Sequence, residues 1–232
     1  LLWRKAWDMT FSLASFLIGF ILGLGLGNLI QGVPLDQEGN FIGSFSLFFR
    51  PYPILIGLFT TTLFIMHGSI YLAMKTEGVL HERLRIWVKL SIFLFVIIYF
   101  ITTFSTWMFM PHMVERIQEY RWLSLVPVAA LLAILNVPRL FSLKKDFQAF
   151  LFSCLGIILM LVVFGIGTFP NLVRSLVQPD LLSLNFLNAS GSELNLTVLL
   201  FIVAIGLPFV FCYSAMIYRV FRGKVKIEAS SY

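Results

Sequence analysis

The chain has 232 residues, of which 59% are hydrophobic and only 12% are charged, a balance that excludes an ordinary water-soluble domain. Lys and Arg outnumber Asp and Glu by 17 to 11, giving a net charge of +6. A basic balance is also typical of nucleic-acid-binding proteins, but here the basic residues are concentrated in the polar segments between apolar runs. We therefore interpret them as signals of membrane orientation and predict no nucleic-acid partner.

Six apolar runs are long enough to cross a bilayer, whose hydrocarbon core of roughly 30 Å requires about 20 helical residues. They predict an all-α integral membrane protein, a polytopic helix bundle that forms a single transmembrane domain over residues 1–232. The predicted transmembrane helices lie near residues 9–31, 52–74, 86–110, 122–141, 147–169 and 195–218.

The first predicted helix carries Gly19, Gly23 and Gly27 at intervals of four residues. Small residues at this spacing let a second helix approach closely within a membrane, so we predict a helix-packing surface. Asn28 and Gln31 follow at the end of the same helix. They are candidates either for capping the helix near the lipid headgroups or for hydrogen bonds across a subunit interface.

One face of the second predicted helix carries a stripe of polar residues, which we call the polar seam. Its members fall within roughly a quarter of the helix circumference and are Thr60, His67, Tyr71 and Lys75. Because polar groups are costly in hydrocarbon, the polar seam is predicted to face other helices or a partner subunit. Lys75 and Glu77, at its end, form a candidate docking point for that subunit; the alternative is that segment 75–89 is only a solvated connector.

His67 is the one histidine in the middle of a predicted span, whereas His81 lies in a predicted cytoplasmic loop and His112 follows the outer end of the third span. A heme held by two histidines needs two imidazoles that face each other at similar depth, so this chain alone cannot provide such a site. No Asp or Glu lies mid-span, so no complete proton path is predicted. We predict no catalytic and no metal-ligating residue in the chain. Three roles for His67 stay open: hydrogen bonding between helices, a proton relay, or contact with a cofactor held elsewhere.

Lys and Arg divide unevenly between the two sides of the predicted membrane. Only four of the 17 lie on one side, namely Arg50, Arg116, Arg121 and Arg174; the remainder lie with the termini and segments 75–89 and 139–146. Because cytoplasmic segments are enriched in Lys and Arg, both termini are predicted to face the cytoplasm.

Several segments resemble, in the same order, subunit II of the cytochrome bd-type quinol oxidases. They are 3–8 (WRKAWD), 27–34 (GNLIQGVP), 50–57 (RPYPILIG), 67–78 (HGSIYLAMKTEG), 167–171 (GTFPN), 188–190 (NAS) and 218–224 (YRVFRGK). The combination covers nearly the whole chain and is specific, although no single segment would suffice. Arg174 stands where the family usually has Pro. At the position of His67, members carry His or Gln, which argues against a ligand role.

The resemblance implies an oxidase that oxidises quinol, reduces oxygen to water and contributes to the proton gradient without pumping. By that resemblance, the b-type and d-type hemes and the quinol site belong to a partner, the heme-bearing subunit I, and this chain is a non-heme-ligating subunit of the heterodimer. A bound quinone or lipid and a small accessory subunit are further components that it allows. The implied location is the bacterial cytoplasmic (inner) membrane. Family members carry further spans at their N-terminus, so the chain is expected to correspond to the C-terminal part, roughly two thirds, of a subunit II.

Two other functional classes are compatible with the residues alone: a small secondary transporter and a membrane scaffold with no redox role. Transporters are often built from inverted repeats whose broken helices recur in corresponding halves. The interruptions at Pro127 and Pro208 do not recur in this way. The sequence therefore lacks the repeated broken helices that would favour a transporter.

Overall fold

The computed structural model describes residues 2–223 and folds them almost entirely into helices. The α-helices are α1 (Leu2–Gln31), α2 (Pro51–Lys75), α3 (Gly78–Phe109), α4 (His112–Glu119), α5 (Leu125–Ser142), α6 (Asp146–Thr168), α7 (Pro179–Leu182) and α8 (Glu193–Val220). Two short 3-10 helices span Phe45–Phe49 and Arg121–Ser124. Strands β1 (Asn171–Val173) and β2 (Leu184–Asn185) form a small antiparallel pair.

Six helical segments are long and apolar enough to cross a membrane, counted over the described residues. They are α1, α2, α3, α5 together with the 3-10 turn before it, α6 and α8. The all-α polytopic membrane fold predicted from the apolar runs is therefore confirmed. Helices satisfy their own backbone hydrogen bonds, which is why they are the structure that an apolar run adopts in lipid.

α3 extends well beyond its apolar run. It begins at Gly78 rather than near residue 86, so the predicted connector 75–89 is mostly helical. The residues between these two starting points are mainly Leu, Glu, Arg and Val, most of which favour helices. Hydropathy marks the apolar part of a helix, whereas charged residues continue the same helix into the aqueous layer.

The transmembrane helices pack mainly as sequential pairs, α1 with α2, α2 with α3, and α5 with α6. α6 also contacts α2 and α4, which closes a core around α2, α3, α5 and α6. The side chains at its centre are fully buried and include Met66, Ile70, Val88, Phe95, Val137 and Phe141.

The two ends of the bundle differ in structure. At one end, which we call the terminal end, short turns join α2 to α3 and α5 to α6, and α8 finishes. At the other, the loop end, segments 32–50, 110–124 and 169–192 form a layer of short helices and strands. Backbone hydrogen bonds connect the first and last of these segments, since Val33 N donates to Arg174 O at 3.0 Å and Leu176 N donates to Val33 O at 3.0 Å.

Candidate functional site

The polar seam on α2 faces two different neighbours. Thr60 is buried against α1, where its hydroxyl covers the surface of Gly23. His67 and Tyr71 instead contact α6 through the ring of Phe150. The structure therefore divides the stripe between α1 and α6, and these three members meet helices of this chain.

His67 forms the main polar contact between α2 and α6. Its Nδ1 lies 2.8 Å from Ser153 Oγ, and its ring stacks on Phe150 with centroids 4.9 Å apart. Ser153 is buried and also donates to Phe150 O at 2.7 Å. This arrangement corresponds to hydrogen bonding between helices, one of the roles left open by the sequence.

Lys75 lies at the terminal end of α2 and reaches the end of α8. Its Nζ donates to Phe221 O at 2.8 Å and to Gly223 O at 3.2 Å, and it lies 5.8 Å from the centroid of the Tyr71 ring. A cation at the carboxyl end of a helix satisfies carbonyl groups that have no partner within the helix. Glu77 is the residue immediately before α3. The candidate docking point thus includes a contact between Lys75 and the C-terminal helix of the same chain.

The glycines of α1 lie against α2. A Cβ on Gly23 would lie 2.5 Å from Thr60 Oγ1, and one on Gly27 would lie 2.5 Å from Pro53 Cα. Gly19 is less tightly covered, with Phe64 at 3.2 Å from the same hypothetical atom. The spacing of four residues therefore brings the backbones of α1 and α2 together, with the closest approach near the loop end.

Asn28 and Arg50 hold the loop end of α1. Asn28 is 4% exposed; its Nδ2 donates to Leu24 O and to Phe48 O, both at 2.9 Å, and its Oδ1 accepts from Arg50 Nη2 at 3.2 Å. Arg50 also donates to Gly32 O, and burial lowers the pKa of its guanidinium. Asn28 therefore binds the loop that follows its own helix. Sequence reasoning did not identify Arg50 as its partner, although the RPYP motif contains it.

Gln31 is placed close to Asn28 in sequence but differs from it in its contacts. Its Oε1 is buried and has no hydrogen-bond partner among the described residues. A buried amide oxygen that accepts no hydrogen bond lowers the stability of the fold. Asn28 and Gln31 are thus not equivalent, although the sequence placed them in one category.

Arg85 connects three helices at the terminal end and was not predicted. Its Nη1 lies 3.1 Å from Asp146 Oδ1, its Nη2 donates to Phe141 O at 2.7 Å, and its guanidinium lies 4.4 Å from the centroid of the Phe141 ring. The ion pair between Arg85 and Asp146 joins α3 to α6. The hydrogen bond from Arg85 to Phe141 O joins α3 to α5. Arg85 lies in the predicted connector 75–89. The sequence of a connector does not indicate which distant residue a charged side chain will contact.

Hydroxyl pairs join α2 to α3 at two levels. Tyr52 Oη lies 2.8 Å from Thr106 Oγ1 near the loop end, and Ser69 Oγ lies 2.9 Å from Ser91 Oγ towards the terminal end. Such interhelical hydrogen bonds are a common means of helix association in lipid. Periodicity could have indicated Ser69, but it lies outside the stripe that defined the polar seam.

A small polar cavity of about 130 Å³ lies at the loop end, and His112, Glu115 and Arg174 are among its lining residues. His112 Nε2 donates to Ile30 O at 2.8 Å and so attaches α4 to the end of α1. Burial lowers the pKa of His112; the hydrogen bond to Ile30 and the charge of Glu115 oppose this effect, and the charge of Arg174 adds to it. Burial therefore favours the neutral form of His112.

Potential metal ligands are dispersed through residues 2–223. No group of three or more His, Cys, Asp or Glu side chains in that range comes together in a way that could hold a metal ion. Around His67, Nδ1 is engaged by Ser153 and the ring packs on Phe150. His67, Tyr52 and Ser69 join helices, whereas Asn28 and Arg50 fix the loop after α1.

A bundle of six helices long and apolar enough to cross a membrane, with polar groups used in helix packing, defines a polytopic membrane protein. The sequence model of one family, cytochrome bd terminal oxidase subunit II, matches residues 1–221. The chain therefore belongs to that family, and the resemblance inferred from the motifs is confirmed.

Individual relatives agree with the family match. The chain is 26% identical to cytochrome bd-I ubiquinol oxidase subunit 2 of Escherichia coli (strain K12), over 97% of this chain and 67% of the relative. It is 28% identical to cytochrome bd ubiquinol oxidase subunit 2 of Bacillus subtilis (strain 168), over 96% of this chain and 65% of the relative. The corresponding values for the probable cytochrome oxidase subunit 2 of Haemophilus influenzae are 24%, 96% and 66%. The chain spans about two thirds of the length of these relatives.

Proposed function

We propose that the chain acts as subunit II of a cytochrome bd-type terminal oxidase, supporting quinol oxidation coupled to reduction of oxygen to water in an aerobic respiratory chain. The observation that carries this proposal is the family match over residues 1–221. The relatives from E. coli and B. subtilis are named ubiquinol oxidase subunits, which supports a quinol as the electron donor. The chain contributes to the oxidoreductase as one of its subunits.

The b-type and d-type hemes are proposed to be ligated by the partner, subunit I. The support is the family resemblance; within this chain, His67 uses its Nδ1 and its ring to join α2 to α6. The hemes supply the electron transfer and oxygen chemistry of the complex, whereas the residues of this chain supply a packed helical body. The role proposed for the polar seam is to hold α2 against α6 and α1, so that the partner meets a defined surface.

The proposed location is the bacterial cytoplasmic membrane, with the terminal end of the bundle facing the cytoplasm. The support is the concentration of Lys and Arg at that end. Leu187, which is 90% exposed in the loop-end layer, and Leu143, at the α5–α6 turn, offer matched positions for a single cysteine once Cys154 and Cys212 are replaced by alanine. A membrane-impermeant maleimide should label Leu187→Cys in intact spheroplasts and Leu143→Cys only after lysis. The reverse pattern would contradict the orientation.

The oxidase role is tested by purifying the complex through an affinity tag on this chain. We expect a heme-bearing partner to co-purify, a visible spectrum with reduced-heme bands, and oxygen uptake that depends on added quinol. Deleting this chain should remove the assembled oxidase from the membrane. A heme-free preparation that instead catalyses saturable solute uptake in liposomes would favour the transporter, and a heme-free preparation without uptake would favour the scaffold.

A further inference from the structure

An apolar groove of about 570 Å³ runs along α6 at the loop end of the bundle. Val162, Gly165 and Ile166 line it from α6, and Tyr120 and Trp122 line it from the segment between α4 and α5. Its volume lies within the range of roughly 300–1,000 Å³ that is typical of small-molecule sites. Almost all of the lining is apolar, as expected for a surface that contacts hydrocarbon.

Arg116 is the one cation in the lining of this groove, and it is held in place. Its Nη1 donates to Phe169 O at 3.1 Å, and its Cζ lies 4.2 Å from the centroid of the Phe169 ring. No carboxylate among the described residues forms an ion pair with it. A guanidinium carries five N–H donors, so most of them remain available to an anion in the groove.

The aromatic residues indicate the depth of the groove in the membrane. Trp122 and Tyr120 are exposed beside Arg116, and amphipathic aromatic rings are enriched at the level of the lipid headgroups. A fixed cation at headgroup level with an apolar groove beneath it matches the chemistry of a phospholipid, which carries a phosphate above acyl chains. A quinone offers no charge to Arg116, so it is a poorer match.

The α6 lining of the groove contains an open position. A Cβ built on Gly165 would meet no atom within 4 Å, so the absence of a side chain there leaves free space along α6. A side chain at this position would extend into the groove without displacing the packed part of the helix. Gly165 is therefore a position at which the groove can be filled selectively.

We propose that this groove binds one phospholipid, with its phosphate on Arg116 and an acyl chain along the face of α6 formed by Val162, Gly165 and Ile166. The bound lipid covers the apolar lining where α4, the 3-10 turn Arg121–Ser124 and α6 meet. The site does not depend on the oxidase role, because its recognition elements all belong to this chain.

The experiment measures the phospholipid retained by the purified, detergent-washed complex, by mass spectrometry of extracted lipid per complex. We expect one tightly held phospholipid in the wild type. Arg116→Gln should weaken its retention by roughly tenfold, because a charge-assisted hydrogen bond to phosphate is lost. Gly165→Leu should displace the acyl chain and give a comparable loss.

Two matched substitutions serve as controls. Arg121→Gln removes an exposed arginine from the same region, and Gly206→Leu adds the same side chain to an open glycine on α8. Both should retain the lipid, and the melting temperature of each variant complex shows whether it has folded. The proposal is overturned if Arg116→Gln and Gly165→Leu retain phospholipid as the wild type does. It is also overturned if these variants lose a quinone instead of a phospholipid.

Discussion

The two transmembrane helices α2 and α8 have similar lengths and are both strongly apolar, yet they differ in what surrounds them. α2 contacts α1, α3 and α6, and ten of its residues are buried. None of the residues of α8, all of which the structure describes, is buried. The mean hydropathy of the most apolar window is 1.6 in α2 and 2.5 in α8, so the more apolar helix is the less packed one.

Within residues 2–223, this difference follows the distribution of polar and small side chains along the two helices. Because hydrocarbon solvates an apolar side chain as well as a neighbouring helix does, apolar content alone does not bring helices together. α2 carries Thr60, His67 and Ser69, which bond or pack across helix boundaries, and it receives the glycines of α1. Residues 198–211 of α8 contain no side chain that forms such bonds. Polar and small residues therefore distinguish the packed helix α2 from the similarly long and more apolar helix α8.

The largest effect is expected where the backbone of α1 approaches α2. In Gly27→Ala the new Cβ would lie 2.5 Å from Pro53 Cα, and a backbone atom cannot turn aside as a side chain can. Overpacking of this kind costs about 1–3 kcal/mol. Thermal unfolding of the purified complex should show a clear loss of stability.

Gly25→Ala and Gly206→Ala are the controls for this substitution. A Cβ at either position meets no atom within 4 Å, and the two glycines lie on α1 and α8 respectively. Both variants should unfold close to the wild-type temperature. If Gly206→Ala were as damaging as Gly27→Ala, α8 would be tightly packed in the complex and the contrast between α2 and α8 would not hold there.

An intermediate effect is expected for His67→Ala on α2. The substitution removes the contact with Ser153 and the stacking on Phe150, and interhelical hydrogen bonds in membranes contribute about 0.6 to 1.7 kcal/mol. We expect weaker assembly or lower oxidase activity. The heme content of each assembled complex should stay unchanged when it is quantified from the visible spectrum.

Tyr213→Ala on α8 is the matched truncation, since Tyr213 is largely exposed. It should affect stability less than His67→Ala does. A loss of one heme per intact complex in His67→Ala would contradict the assignment of this residue to helix packing.

A smaller, pH-dependent effect is expected at His112, which attaches α4 to the end of α1. Its folded pKa lies below the ordinary value of 6.5, mainly because of burial, so the unfolded chain binds the proton more readily. The stability contribution is therefore complete above pH 6.5 and is lost as the pH falls through the folded pKa. Melting temperatures between pH 7.5 and pH 5 should decline more steeply for the wild type than for His112→Asn; equal slopes would show that His112 is not responsible.

The smallest effect is expected at the pair Ser69 and Ser91, between α2 and α3. Each hydroxyl also donates to a carbonyl of its own helix, Met66 O and Val88 O respectively, so an alanine leaves little unsatisfied. A double-mutant cycle should give a coupling free energy of about 0.6 kcal/mol, the average measured for such pairs. A coupling of zero would show that the two hydroxyls contribute independently.

The sequence predicted the number and approximate position of the transmembrane helices because each span is a local property of about 20 residues. It also predicted a packing surface on α1 from the glycine spacing, since residues four apart lie on one helix face. The polar seam was recognised as a stripe, but its division between α1 and α6 was not, because helical spacing says nothing about which helix lies opposite. Arg50 and Arg85 were missed as partners for the same reason.

The amino-acid sequence by itself determined that this protein is a helical membrane subunit and which family it belongs to. Both conclusions follow from local apolar runs and from motifs in a fixed order. Recognising either requires no knowledge of which residues are in contact in the folded protein. Only the tertiary structure decided that His67 meets Ser153, that Asn28 meets Arg50, and that α2 rather than α8 is enclosed by other helices of residues 2–223. These contacts join residues far apart in sequence, and in lipid they depend on the few positions where polar or small side chains on two helices coincide.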